Sequence, residues 1–126
     1  MIAADTSTWI AFLEGSSGSD VQALDAALAN RQVLMVPVVL TELLSDASLP
    51  AAVARSLSQV PAIHVQTGFW ERAGGLRAKV LRQGRKARLG DALIAQFCLD
   101  HGVPLLTRDR DFQAFAGAAK LALFHP

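Results

Sequence analysis

The sequence contains a single cysteine, Cys98, which excludes an intrachain disulfide and a cysteine-rich zinc site. Within "ALIAQFCLD" it reads as a small apolar core residue. Long hydrophobic runs are also missing. The strongest, "VLMVPVVL", is broken by Pro37 and closely followed by Glu42, well short of the roughly 18 apolar residues a membrane span needs. The start, "MIAADTSTW", has no basic segment ahead of an apolar one, so it does not read as a secretion signal, and the expected location is the cytoplasm. Neither an internal repeat nor a low-complexity tract is present. The last absence is local. Between positions 72 and 88 there is no acid, although seven of the twelve basic residues lie there: Arg72, Arg77, Lys79, Arg82, Arg85, Lys86 and Arg88. A solvated helix face and a phosphate-binding flank both account for such a run.

What is present is apolar for its size. A chain of 126 residues suits one domain that buries about two-thirds of its unfolded surface. Hydrophobic residues make up 52% of it and mean hydropathy is +0.31. That balance leaves apolar surface for an oligomer or a bound partner protein.

Periodicity predicts strands and helices in alternation. "MIAA" reads as a strand and "STWIAFLEG" as a helix ending at Gly15. Ser19 or Asp20 is placed to cap a second helix whose inward face is Val21, Leu24, Ala27 and Leu28. "VLMV" reads as a strand buried on both faces, and Pro37 suits the first turn of the helix "VVLTELLSD". A short helix "PAAVARSLSQV" and a strand "AIHVQ" follow, then a helix over 67–83 with Phe69, Ala73, Leu76 and Val80 inward. "GDALIAQFCLDHG" is a helix closed by Gly102, "LLT" a strand, "DFQAFAG" a short helix and "LALF" a last short strand. Strands separated by helices imply an α/β fold: a mostly parallel sheet covered on both faces.

Such sheets bind ligands at the carboxyl ends of their strands, which turns positions in the chain into positions in space. Asp5 follows the first strand and Asp109 follows "LLT". Glu42 lies about one turn into the helix after "VLMV", and Asp91 opens the helix that leads to "LLT". Each acid alone has an ordinary explanation as a helix cap or first-turn residue. Four at one edge repel, because two carboxylates about 5 Å apart cost roughly 3 kcal/mol at an effective dielectric near 20. A cation relieves that repulsion. Oxygen ligands without soft donors suit Mg²⁺ or Mn²⁺, and the usual chemistry of that arrangement is metal-assisted hydrolysis of a phosphodiester. Arg108 can contact a substrate phosphate or pair with an acid, and Asp111 is expected to cap "DFQAFAG", with an outer role at the acidic site as the alternative. Phe112 belongs to the core.

"AADTSTWIAFL", "VPVVLTELL", "RLGDALIAQFC" and "LLTRDRDF" match, in order and spacing, the motifs of PIN-domain ribonucleases. The chain most closely resembles the VapC-like toxins of bacterial type II toxin–antitoxin pairs. The resemblance implies a three-layer fold and an Mg²⁺- or Mn²⁺-dependent endoribonuclease acting on single-stranded RNA. It implies Asp5, Glu42, Asp91 and Asp109 as the catalytic and metal-binding acids, with Ser7 and Thr107 as the hydroxyls beside them. It further implies a small cognate antitoxin as partner, and the apolar excess adds a homodimer. Arg82, Arg85, Lys86, Arg88 and Arg108 are candidates for RNA contact. No motif in 53–88 is specific enough to transfer a role.

Two other small α/β enzymes with acidic edges fit poorly. A receiver domain needs an acceptor aspartate after the third strand and a lysine after a late one, and "HVQTG" and "LLTRD" supply neither. A haloacid-dehalogenase-like phosphatase needs an aspartate two residues past the first, where this chain has Ser7. A non-catalytic PIN-like module that binds RNA or protein remains the alternative. His64, His101 and His125 share no ligand-like spacing.

Overall fold

The computed structural model describes residues 1–124. At its centre is β1 (Ile2–Ala4), fully buried, followed directly by α1 (Thr6–Leu13). Next come α2 (Ser19–Ala29), β2 (Val33–Leu34), α3 (Pro37–Leu44) and α4 (Ala51–Ser58). The second half runs α5 (Phe69–Arg82), α6 (Leu89–His101), β3 (Leu105–Leu106) and α7 (Phe112–Ala119). The strands form a parallel sheet in the order β2-β1-β3, with Ile2 opposite Val33 on one side and Ala4 opposite Leu106 on the other. Placing β1 in the middle brings residues separated by a hundred positions to neighbouring strand ends.

Helix α5 packs on α6 and α7, α1 packs on α2 and α3, and α3 also reaches α6. All four residues expected inward on α5 are buried, and Phe69 meets Phe97 of α6 with ring centroids 4.2 Å apart. Burying such a ring contributes about 1.5–3 kcal/mol, which offsets the weak helix propensity of Gly74 and Gly75. Pro37 occupies the first turn of α3 and Gly102 closes α6 at φ +61°, both as the sequence predicts. No helix among the described residues is long and apolar enough to cross a membrane.

The structure departs from the sequence reading at four places. "VLMV" is a strand for only two residues, because Val36 already serves as the N-cap of α3. "AIHVQ" forms a single parallel bridge, Met35 to Ala62, rather than a strand. Only Ile63 of that segment is buried, so nothing drives further pairing beyond it. "LALF" likewise contributes one bridge, Leu105 to Leu123, and His125 lies outside the described residues. Helix α2 is capped by neither Ser19 nor Asp20: Gly18 holds the N-cap position, and the Asp20 carboxylate is engaged elsewhere. On its inward face only Leu24 is fully buried, with Val21, Ala27 and Leu28 half-buried.

Candidate active site

Asp5 ends β1 and caps α1, its Oδ1 accepting the Thr8 N–H at 3.1 Å. Its backbone is extended (φ −79°, ψ 176°), the geometry of an N-cap. The carboxylate is 3% exposed and heavily hydrogen-bonded. Ser7 Oγ lies 2.7 Å from Oδ1 and 2.9 Å from Oδ2, and Thr107 Oγ1 donates to Oδ2 at 2.7 Å. Burial pushes the Asp5 carboxyl above its usual range and the nearby Asp109 charge adds to this, while the hydroxyls and the Thr8 N–H pull it back.

Thr107 follows β3 and accepts the Asp109 N–H at 2.9 Å, and Asp109 Oδ1 in turn accepts the Asp111 N–H at 2.9 Å. The turn after β3 is thus fixed by its own side chains. Asp91 stands in the first turn of α6, and Glu42, exposed on α3, accepts from Thr6 Oγ1 at 2.9 Å. Asp5, Glu42, Asp91 and Asp109 line one pocket of about 230 Å³, together with Ser7, Arg88 and Ile94.

Asp91 carries the strongest electrostatic signature. Desolvation, then the Asp109 charge, with smaller contributions from Asp5 and Glu42, raise its carboxyl to about 6 against the pull of Arg88. Its Oδ2 is buried without a hydrogen-bond partner among the described residues. A buried carboxylate oxygen left without a donor calls for a cation or ordered water. Carboxylate oxygens of Asp91, Asp109 and Asp111 lie within 4.8 Å of one another. An all-oxygen set of that size fits a hard divalent cation; Asp5 and Glu42 line the same pocket as Asp91 and Asp109 but lie outside this closest group of oxygens.

Asp111 is a correction. It holds the N-cap position of α7, but its backbone is helical (φ −62°, ψ −24°) and its side chain makes no cap hydrogen bond. In that conformation the carboxylate does not turn back over the helix end; it joins the acidic group and meets Lys86 Nζ at 3.4 Å. Of the two roles open to Arg108, the geometry fills the acid-pairing one: its guanidinium forks onto Asp20, Nε to Oδ2 and Nη2 to Oδ1, both at 2.8 Å. In the basic run, Arg72 pairs with Asp100, Arg77 donates to the Ala87 carbonyl and Lys79 to the Ala118 carbonyl. Arg82, Arg85, Lys86 and Arg88 are exposed.

The PIN domain family profile matches residues 2–118. The chain belongs to the PIN domain family. Among curated proteins, ribonuclease VapC11 of Mycobacterium tuberculosis and VapC ribonuclease Mb1587 of Mycobacterium bovis are each 27% identical to it over 129 aligned positions, covering 96% of both chains. Among solved structures, the crystal structure of FitAcB from Neisseria gonorrhoeae superposes with a TM-score of 0.72 at 21% identity, covering 100% of this chain and 98% of that one. FitAB bound to an IR36 DNA fragment superposes at 0.71 with 19% identity, covering 98% and 94%. These superpositions carry the PIN fold, with its parallel sheet and flanking helices, across the whole described chain.

Proposed function

We propose that this PIN domain is a divalent-metal-dependent endoribonuclease that cuts single-stranded RNA and serves as the toxin of a toxin–antitoxin pair. The observation that carries the reading is the convergence of Asp5, Glu42, Asp91 and Asp109 on one pocket in which a buried Asp91 oxygen has no hydrogen-bond partner among the described residues. The 27% identity to proteins named VapC ribonucleases, over nearly the whole chain, supports the substrate class. Mg²⁺ or Mn²⁺ held there would activate water and offset charge on the leaving 3′-oxygen, giving 5′-phosphate and 3′-hydroxyl ends.

The chain's own residues set the geometry. Asp91 and Asp109 would hold the cation, Asp5 is locked in orientation by Ser7, Thr8 and Thr107, and Glu42 lines the exposed wall. Arg88, a basic residue lining the pocket, would meet the scissile phosphate, and the exposed Arg82, Arg85 and Lys86 would extend the basic surface along the RNA backbone.

A partner surface adjoins this pocket. Ile10 and Glu42 also line a neighbouring depression with Leu13, Leu43 and Leu49, and Leu13 continues into an apolar groove formed by Phe12, Leu28, Val53, Leu57 and Val60. A peptide with apolar anchors in that trough and an arginine over the carboxylates would block the site sterically and electrostatically. This suits a small antitoxin. Exposed Trp70 (60%) and Leu89 (62%) support a homodimer.

The test is cleavage of a single-stranded RNA by purified protein with Mg²⁺, with Mn²⁺ and with excess EDTA, alongside Asp5→Asn and Asp91→Asn checked for folding by circular dichroism. Cleavage is expected only with metal and only in the wild type. Cleavage in EDTA, or by folded Asp91→Asn, rules out the mechanism; RNA binding without cleavage under every condition returns the chain to a non-catalytic binding module.

A further inference from the structure

We infer that Arg108 and Asp20 are positioning residues for the Asp5 side of the site, closing a ring of contacts that sets the orientation of the Asp5 carboxylate. The inference rests on the metal-nuclease reading above.

The ring can be followed atom by atom. Asp5 Oδ1 accepts the Thr8 N–H at 3.1 Å, and Thr8 Oγ1 donates to Asp20 Oδ2 at 3.0 Å. Asp20 takes both arms of the Arg108 fork at 2.8 Å. Arg108 follows Thr107 in the chain, and Thr107 Oγ1 returns to Asp5 Oδ2 at 2.7 Å. Thr8 is fully buried and Asp20 is 9% exposed, so water competes little for the Thr8–Asp20 bond, while the Arg108 side chain, 38% exposed, reaches solvent beyond its fork. Charge-assisted, bidentate pairing fixes direction as well as distance. Arg108 Nη2 also reaches the Ser17 carbonyl at 3.3 Å, anchoring the loop before α2.

The neighbouring backbone is shaped for this fork. Gly18 sits at φ +146°, and a Cβ there would lie 2.6 Å from Asp20 Oδ1 and 2.9 Å from Arg108 Nη2. Only glycine satisfies both the backbone and the clearance. With Nε and Nη2 committed to Asp20, two arms of the guanidinium are withdrawn from phosphate recognition. Asp20 does not line the acidic pocket, yet through Thr8 and Thr107 the pair bears on both oxygens of Asp5. Groups hydrogen-bonded directly to a metal-binding side chain commonly control affinity by about 10–100-fold when altered, and Asp20 and Arg108 stand one step further out, behind Thr8 and Thr107, so the lower end of that range applies.

The experiment titrates Mn²⁺ into the full chain, reading free Mn²⁺ by electron paramagnetic resonance, for the wild type, Arg108→Lys, Asp20→Asn and the double variant. Metal-free RNA binding and steady-state cleavage are measured in parallel. Each single variant is expected to raise the Mn²⁺ half-saturation about tenfold. The double variant should be no worse than either single, since both break one ring. At saturating Mn²⁺, kcat should return close to wild type with KM for RNA unchanged, a split that general loss of stability does not produce. Wild-type Mn²⁺ affinity in both singles overturns the inference, and weaker metal-free RNA binding by Arg108→Lys alone makes Arg108 a phosphate contact instead. If the singles fail to fold, Thr8→Val against Thr8→Ser decides: a tenfold loss in the first only is expected, and equal affinities overturn the ring. A wild-type chain that binds no Mn²⁺ removes the nuclease reading itself, and this inference with it.

Discussion

One hydroxyl joins two strand ends: Thr107 Oγ1 donates to Asp5 Oδ2 at 2.7 Å and accepts the Asp109 N–H at 2.9 Å. Asp5 is 3% exposed, so water cannot replace the lost donor if Thr107 is changed. Hydrogen bonds to charged groups contribute about 1.5–3 kcal/mol, and the Asp109 N–H would be orphaned as well. Thr107→Val should therefore destabilise the protein by roughly 2 kcal/mol in urea unfolding, whereas Thr107→Ser should stay close to wild type. Equal midpoints for the two variants would show that the hydroxyl holds nothing together.

Asp91 predicts an inverted pH dependence. Its carboxyl is raised to about 6 in the fold, and Asp5 is raised too. Between the ordinary carboxyl value near 4 and the folded value, the folded chain holds more protons than the unfolded one, so stability falls as pH rises. Asp20 and Asp100 are lowered by Arg108 and Arg72 respectively, and their contribution is lost only at more acidic pH, below the unfolded carboxyl range. Metal-free protein should accordingly lose melting temperature from about pH 4 to 6, and saturating Mg²⁺ should abolish that loss by binding the ionised carboxylates. Asp91→Asn should flatten the metal-free profile while eliminating cleavage. A profile that rises through the same window in metal-free wild type would contradict the crowded-carboxylate account.

The acidic pocket was legible because its parts obey local rules that survive folding. Asp5 and Asp109 follow strands and Asp91 stands in the first turn of a helix, all in segments whose apolar patterns are strong, and parallel topology then places those ends together. Helix α5 was read correctly down to its four inward residues, since a 3.6-residue period over fourteen positions is distinctive. "AIHVQ" misled because alternation over five residues says nothing about whether a neighbour exists beyond one bridge at Met35. The Asp20–Arg108 pair was invisible as a contact, being separated by 88 positions with no periodic signal to join them. For Asp111 the signal was present but misassigned: a carboxylate two residues after Asp109 looks like a cap until the turn locks its backbone in the helical region.

The basic loop makes a quantitative prediction. Arg82 and Arg85 are exposed, and Lys86 makes a half-exposed pair with Asp111 that is worth little in water. Substituting all three with glutamine should weaken RNA binding alike for every sequence. On single strands the salt slope should fall by roughly 2, from a slope of about −0.7 per neutralised phosphate. A filter-binding series over salt concentration measures this, and an unchanged slope would identify the run as a solvated helix face.

The trough beside the site predicts how a partner inhibits. Apolar anchors along Phe12, Leu13, Leu28, Val53 and Val60 would supply affinity, while an arginine reaching the acidic pocket would supply inhibition, competing with metal for the same oxygens. The two functions should separate. Co-expressed with the gene beside its own, the chain should co-purify with a small protein and be silent as a nuclease. Replacing the partner's inserted arginine by alanine should restore most cleavage with the complex still intact, whereas Leu13→Asp in the groove should release the partner and leave cleavage in place. Light scattering on the chain alone should give twice the chain mass, because Trp70 and Leu89 leave apolar surface uncovered. A monomer would dispose of the dimer, and a partner that neither co-purifies nor suppresses cleavage would dispose of the antitoxin.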